Sequence, residues 1–126
     1  MVKKCLLIMT IFLLPLANAF AEQKIYGIYS NMNASYGEPS GFEFFFLHDG
    51  RPGKCSDTVI FQVAEGWPQY PEILDCCACS ASHIEFISKT WGKFLGKIEN
   101  DTLSGELFDA KKTIAIKKGA SFWQKQ

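Results

Sequence analysis

The sequence has only two histidines, His48 and His83, and no excess of charge, with 13 Lys plus Arg against 13 Asp plus Glu in 126 residues. It carries no G-x-S-x-G, no H-E-x-x-H and no glycine-rich phosphate loop. Those absences remove the common signatures of serine hydrolases, zinc peptidases and nucleotide-phosphate sites. No basic patch stands out, which argues against nucleic acid as a partner. Past residue 21 no long apolar run occurs, and no stretch repeats apolar residues with the 3.6 period of a helix. What remains is rich in aromatics, β-branched residues and turn formers.

The chain opens MVKKCLLIMTIFLLPLANAFAEQ. Lys3 and Lys4 form a positive start, and Cys5 to Leu16 an apolar run broken only by Thr10 and Pro15. Two overlapping small-x-small sites follow, Ala17-Asn18-Ala19 and Ala19-Phe20-Ala21. That is the anatomy of a cleaved export signal. The run is short for a spanning helix, which needs about 20 residues. Residues 1–21 are therefore expected to be a removable leader, cut after Ala21. Residues 22–126 are expected to form one mature domain in a periplasmic or secreted setting, not membrane-spanning. Cleavage leaves 105 residues (126 minus 21), with 11 basic (13 minus Lys3 and Lys4) against 13 acidic side chains.

The mature chain alternates short apolar segments with turns. Strands are expected at Ile25–Tyr29, Phe42–His48, Thr58–Ala64, Glu72–Asp75, Ile84–Ser88, Lys93–Glu99, Thr102–Phe108 and Lys112–Lys117. Phe42–His48 is apolar on both faces except at Glu43, which suggests a strand covered on both sides. The stretch Lys93–Phe108 is the most telling. Two alternating runs flank Asn100-Asp101, residue types that tolerate the positive φ of a tight hairpin. Each run carries a glycine on its apolar face, Gly96 and Gly105, which marks bending or close backbone approach. Seven or eight short strands imply an all-β antiparallel meander. A curved sheet closing into a small β-barrel is expected, with a β-sandwich as the alternative.

The rhythm of GKIENDTLSGELF, from Gly96, resembles the hairpins of small lipocalin-like β domains. The mature chain also resembles small exported bacterial β proteins of uncharacterised function. The likeness rests on Gly37-Glu38-Pro39-Ser40-Gly41 before a strand, the turn Ala64-Glu65-Gly66-Trp67-Pro68 and the closing Ser121-Phe122-Trp123. It implies a fold type and a compartment, and it carries no catalytic residues.

Four cysteines lie outside the leader: Cys55, Cys76, Cys77 and Cys79. In an oxidising compartment disulfides persist. A hairpin around EGWPQYP with Val63 near Glu72 sets Cys55 opposite residue 80, give or take two. Cys55 can then reach Cys77 or Cys79. Pairing it with Cys79 leaves the adjacent Cys76 and Cys77, whose bond needs a distorted peptide unit. Cys55–Cys77 with Cys76–Cys79 is the expected pattern. A weaker alternative uses Cys76, Cys77, Cys79 and His83 as soft metal ligands. The cluster is read as C-C-x-C and not as a thioredoxin-like redox motif.

His48-Asp49 is not a catalytic pair in a strand, because neighbours point to opposite faces. No enzyme activity and no cofactor are expected. The aromatics are the remaining clue. Trp67 and Tyr70 lie in a proline-containing loop, Tyr36 in a long polar loop and Trp91 just before a strand. These four are the candidate binding residues. The competing expectation is that they fold back to plug a barrel end. Trp123 is expected to pack down and pin the last segment. The class that fits best is a non-enzymatic binding or inhibitor-type module acting on a periplasmic or cell-envelope protein. An apolar-ligand carrier and a metal or thiol-redox protein are the alternatives.

Overall fold

The computed structural model describes residues 25–48, 55 and 57–125. The expected leader, residues 1–21, and the turn cluster at 49–53 lie outside the described residues. Among the described residues nine strands follow in order: β1 (Gly27–Ser30), β2 (Ser40–His48), β3 (Asp57–Glu65), β4 (Glu72–Asp75), β5 (Ala78–Ser80), β6 (His83–Ser88), β7 (Gly92–Glu99), β8 (Thr102–Leu107) and β9 (Lys112–Lys117). They form two antiparallel meanders, a first sheet β1-β2-β3-β4 and a second sheet β5-β6-β7-β8-β9.

Period-two alternation builds both sheets. One face buries Phe44 and Phe46 from β2, Val59, Phe61 and Val63 from β3, Ile84 and Phe86 from β6, and Phe94 and Ile98 from β7. Leu103, Leu107, Ile114 and Ile116 of β8 and β9 complete one shared core. The Phe44 ring lies 4.9 Å from Phe61, 6.2 Å from Phe86 and 5.1 Å from Phe94, so it joins the two sheets. Those separations fall in the range of favourable offset and edge contacts.

The expected closed barrel does not form. β1 and β9 touch at the single bridge Tyr29–Lys118, reinforced where the Gly119 N–H donates to the Ile28 carbonyl at 2.8 Å. On the other side the ladder breaks between β4 and β5, where Cys76 and Cys77 carry the chain from one sheet to the other. The described strands form two antiparallel sheets that share one core. β5 was not expected from the sequence, because its three residues are short and weakly patterned.

The β7–β8 hairpin is the one read from the sequence. Asn100 and Asp101 hold φ of 51° and 58°, the signature of a two-residue type I′ turn. Gly96 stands directly opposite Gly105. A Cβ on Gly105 would stand 2.6 Å from the Leu95 carbonyl oxygen and 2.6 Å from the Phe94 ring. The glycines therefore let two strands and one ring approach closely.

Candidate functional site

The cysteines sit where the chain changes sheet. Cys55 lies at disulfide distance from Cys77, with Cα atoms 4.7 Å apart, and Cys76 from Cys79, with Cα atoms 5.5 Å apart. The β3–β4 register pairs Thr58 with Asp75. It is shifted by two residues from the expected one, which sets Cys55 opposite residue 78. The difference lies on the β3 side: Ala64 bridges Pro68 within the loop, so Phe61 and not Val63 pairs with Glu72. Cys76 is buried in the core, and its N–H donates to the Asp57 carbonyl at 2.9 Å. Cys77 faces out. Cys76 and Cys79 have the spacing of C-x-x-C, with Cys77 inside it, which the reading as C-C-x-C passes over. His83 Nε2 lies 3.1 Å from Glu85 Oε2. Glu85 also takes Lys93 Nζ at 2.6 Å. The Lys93 hydrogen bond first, and His83 second, hold the Glu85 carboxyl below its usual range. Among the described residues no group of three or more His, Cys, Asp or Glu is arranged to hold a metal ion.

Glu43 is a carboxylate on the outer face of β2, and it is 8% exposed. Its Oε2 accepts from the Ser30 hydroxyl at 2.8 Å and from the Phe122 N–H at 2.9 Å, and its Oε1 accepts from the Ser121 hydroxyl. The C-terminal 3-10 turn Phe122–Lys125 is thereby tied across the outer face of the first sheet. Phe122 seats on Met32 and Ala64 in a small second core. The Trp123 indole N–H donates to Gln62 Oε1 at 2.8 Å, and the ring stays 47% exposed. The expected pinning of the last segment is thus carried by Phe122 and Glu43 more than by Trp123. It also means that β2 is covered on its outer face at one end only.

The β3–β4 loop is held by its backbone. The Glu65 N–H donates to the Trp67 carbonyl at 3.1 Å, Gly66 to Pro39 at 2.9 Å, and Gln69 to Val63 at 2.8 Å. The Gln62 side-chain amide donates to the Gln69 carbonyl at 2.8 Å. On this fixed frame Trp67 is 79% exposed and Tyr70 96% exposed. They do not plug the interior. The space between the sheets is already filled by phenylalanine rings, and Lys112 Nζ sits 5.6 Å above the Phe42 ring near that end. Trp91 does not join them: it is partly buried and packs against the main core. Tyr36 lies in the 3-10 turn Ser35–Gly37, and its side chain is outside the described residues.

A feature not read from the sequence runs across the outer face of the first sheet. Ile28 pairs with Phe45, Phe45 with Ile60, and Ile60 with Ile73. Strand alternation puts all four on the face opposite the core. The Glu72 carboxylate accepts from the Ser88 hydroxyl and from the Lys89 N–H at 2.6 Å, while Cys76 Sγ lies 3.8 Å from the Glu85 carbonyl oxygen. These contacts hold β4 against β6 at the boundary between the sheets. Ile73 and Ile87 are both 70% exposed, and Phe45 is 38% exposed. The signal in the sequence was there, one apolar residue in the outward register of each strand, but single residues in separate strands show no run.

A polar cluster closes one end of β2 and β3. The Tyr26 hydroxyl donates to Asp57 Oδ1 at 2.7 Å, and His48 Nδ1 lies 3.5 Å from the same oxygen. His48 thus faces Asp57 across the strand pair. A shallow open groove of about 490 Å³ lies over Gly96 and Gly105 on the second sheet, edged by Leu95, Lys97, Glu106 and Phe108. Among the described residues no helix is long and apolar enough to cross a membrane. The chain matches no protein-family model, no curated protein and no solved structure.

Proposed function

We propose that this chain is an exported, non-enzymatic binding or inhibitor-type module that engages a periplasmic or cell-envelope protein through Trp67 and Tyr70. One observation carries the reading: two aromatic side chains, 79% and 96% exposed, stand on a loop whose backbone is tied by hydrogen bonds on both sides. Exposed aromatics on a fixed loop lose little conformational freedom when they are buried against a partner. The apolar-carrier alternative needs room between the sheets, and that space holds Phe44, Phe61, Phe86 and Phe94 in mutual contact. The metal or thiol alternative needs free sulfurs, and all four mature cysteines are placed in pairs.

The test immobilises the purified mature domain and a Trp67→Ala/Tyr70→Ala variant and passes periplasmic and cell-wall fractions over both. A protein retained by the wild type, lost with the variant and rebinding when purified supports the reading. Equal retention by both, or none by either, refutes it.

A further inference from the structure

We propose that the Cys55–Cys77 pair is a thiol–disulfide exchange site for a dithiol partner, mounted on a junction that the Cys76–Cys79 pair keeps closed. This goes beyond the binding reading, uses different residues and starts from paired sulfurs, not free ones. Three observations carry it.

The first is access. Cys77 is exposed and Cys55 half-buried, and Asp75 and Ala78 on either side of the cysteines are exposed as well. The inner pair is seated differently. Cys76 is 1% exposed inside the main core, its Sγ lies 3.8 Å from the Glu85 carbonyl oxygen, and Cys79 packs against the same core. Exchange requires a thiolate to reach one sulfur of the bond, so its rate follows access. The two pairs are neighbours and differ in one member: the outer has Cys77 in solvent where the inner has Cys76 in the core.

The second is redundancy. The Cys55–Cys77 link spans 22 residues that the β3–β4 ladder already brings together. Thr58 pairs with Asp75, and the Cys76 N–H donates to the Asp57 carbonyl at 2.9 Å. Asp57 is held in turn by the Tyr26 hydroxyl at 2.7 Å, and Glu72 at the start of β4 by the Lys89 N–H. The entropic effect of a cross-link acts on the unfolded chain. Opening this one therefore leaves the native ladder standing.

The third is placement. Cys76–Cys79 straddles the passage from β4 to β5, where the chain changes sheet. Cys77 lies between its two members, so the inner link fixes Cys77 opposite Cys55 while the outer bond is open. The Cα separation of Cys55 and Cys77, 4.7 Å, is within the range from which a disulfide closes.

In the exchange a partner thiolate attacks the Cys77 sulfur, forming a mixed disulfide and releasing Cys55 as a thiolate. The partner's second thiol, deprotonated, attacks its own bridging sulfur and releases Cys77. The partner leaves as a disulfide, Cys55 and Cys77 gain its two electrons and two protons, and Cys76–Cys79 is unchanged.

Timed reduction of the purified mature protein with dithiothreitol tests this, with iodoacetamide quenching, mass-spectrometric mapping and circular dichroism. The expected result is an intermediate alkylated at Cys55 and Cys77 alone, formed roughly tenfold faster or more than the fully alkylated protein. It keeps the β spectrum, and oxidised glutathione closes the bond again. A peptide carrying a single thiol, acid-quenched, is found as a mixed disulfide on Cys77. The Trp67→Ala/Tyr70→Ala variant gives the same map, which separates this site from the binding loop. Four thiols appearing together, the inner pair opening first, or a two-thiol species without the β spectrum overturns the proposal. So does a mixed disulfide on another cysteine, or purified protein whose cysteines are not joined in these two pairs.

Discussion

Replacing Glu43 with alanine removes one acceptor group from three donors: the Ser30 hydroxyl, the Ser121 hydroxyl and the Phe122 N–H. Hydrogen bonds to a charged group contribute ~1.5–3 kcal/mol each in net terms. The three are not additive, because both hydroxyls can turn to water once the C-terminal turn lifts. The expected loss of unfolding free energy is therefore ~3–4 kcal/mol. Lifting the turn also uncovers Phe122, which is 7% exposed on Met32 and Ala64. Glu43→Gln keeps the volume and one acceptor oxygen but turns an amide NH2 toward one donor. Its expected cost is ~1–2 kcal/mol. Urea unfolding followed by tryptophan fluorescence measures both variants, and hydrogen exchange at the Phe122 amide reports the local effect. An alanine variant within ~1 kcal/mol of the wild type, or an unchanged Phe122 exchange rate, refutes the assigned role.

Three further outcomes are expected. The Cys55–Cys77 pair closes 22 residues and the Cys76–Cys79 pair three, so chain-entropy loss predicts ~3 kcal/mol for Cys55→Ala/Cys77→Ala against ~1.5 kcal/mol for Cys76→Ala/Cys79→Ala before any packing loss at Cys76. Urea midpoints under non-reducing conditions test that order, and equal costs contradict the entropic account. Burial, then the nearby Asp101 charge, pushes the Tyr29 hydroxyl from its ordinary 10.0 up to about 12. A folded value above the unfolded one means that this contribution is whole below pH 10 and lost as pH rises through about 12. The loss amounts to roughly 2–3 kcal/mol, and alkaline titration should show it in the wild type and not in Tyr29→Phe. Gly105→Ala forces its Cβ toward the Leu95 carbonyl and the Phe94 ring, and thermal unfolding should register a loss of ~1–3 kcal/mol or more.

The strands were legible because alternation and turn chemistry are local. The spacing of Phe94, Ile98, Leu103 and Leu107 and the Asn100-Asp101 turn are readable from neighbours alone, and β7, β8 and their hairpin form there. The count of sheets was not legible. It depends on Cys76 and Cys77 leaving β3 for β6, a choice between distant ladders that no local pattern records. The fate of Trp67 and Tyr70 was decided the same way. Whether a loop aromatic turns inward depends on how full the interior is, and here the phenylalanines of both sheets fill it.

The sequence by itself determined an all-β chain, the positions of most strands, the hairpin at Asn100-Asp101 and a set of cysteines that could staple it. Only the tertiary structure decided which surfaces those strands share. Glu43 is the plainest case: in the sequence it is a lone carboxylate in an aromatic strand. In the fold it meets Ser121 and Phe122, 78 and 79 residues away. The outer row of Ile28, Phe45, Ile60 and Ile73 has the same origin. Each side chain was fixed by its own strand's alternation. Their alignment came from interstrand register, which is set by loop lengths and sheet pairing across the whole chain.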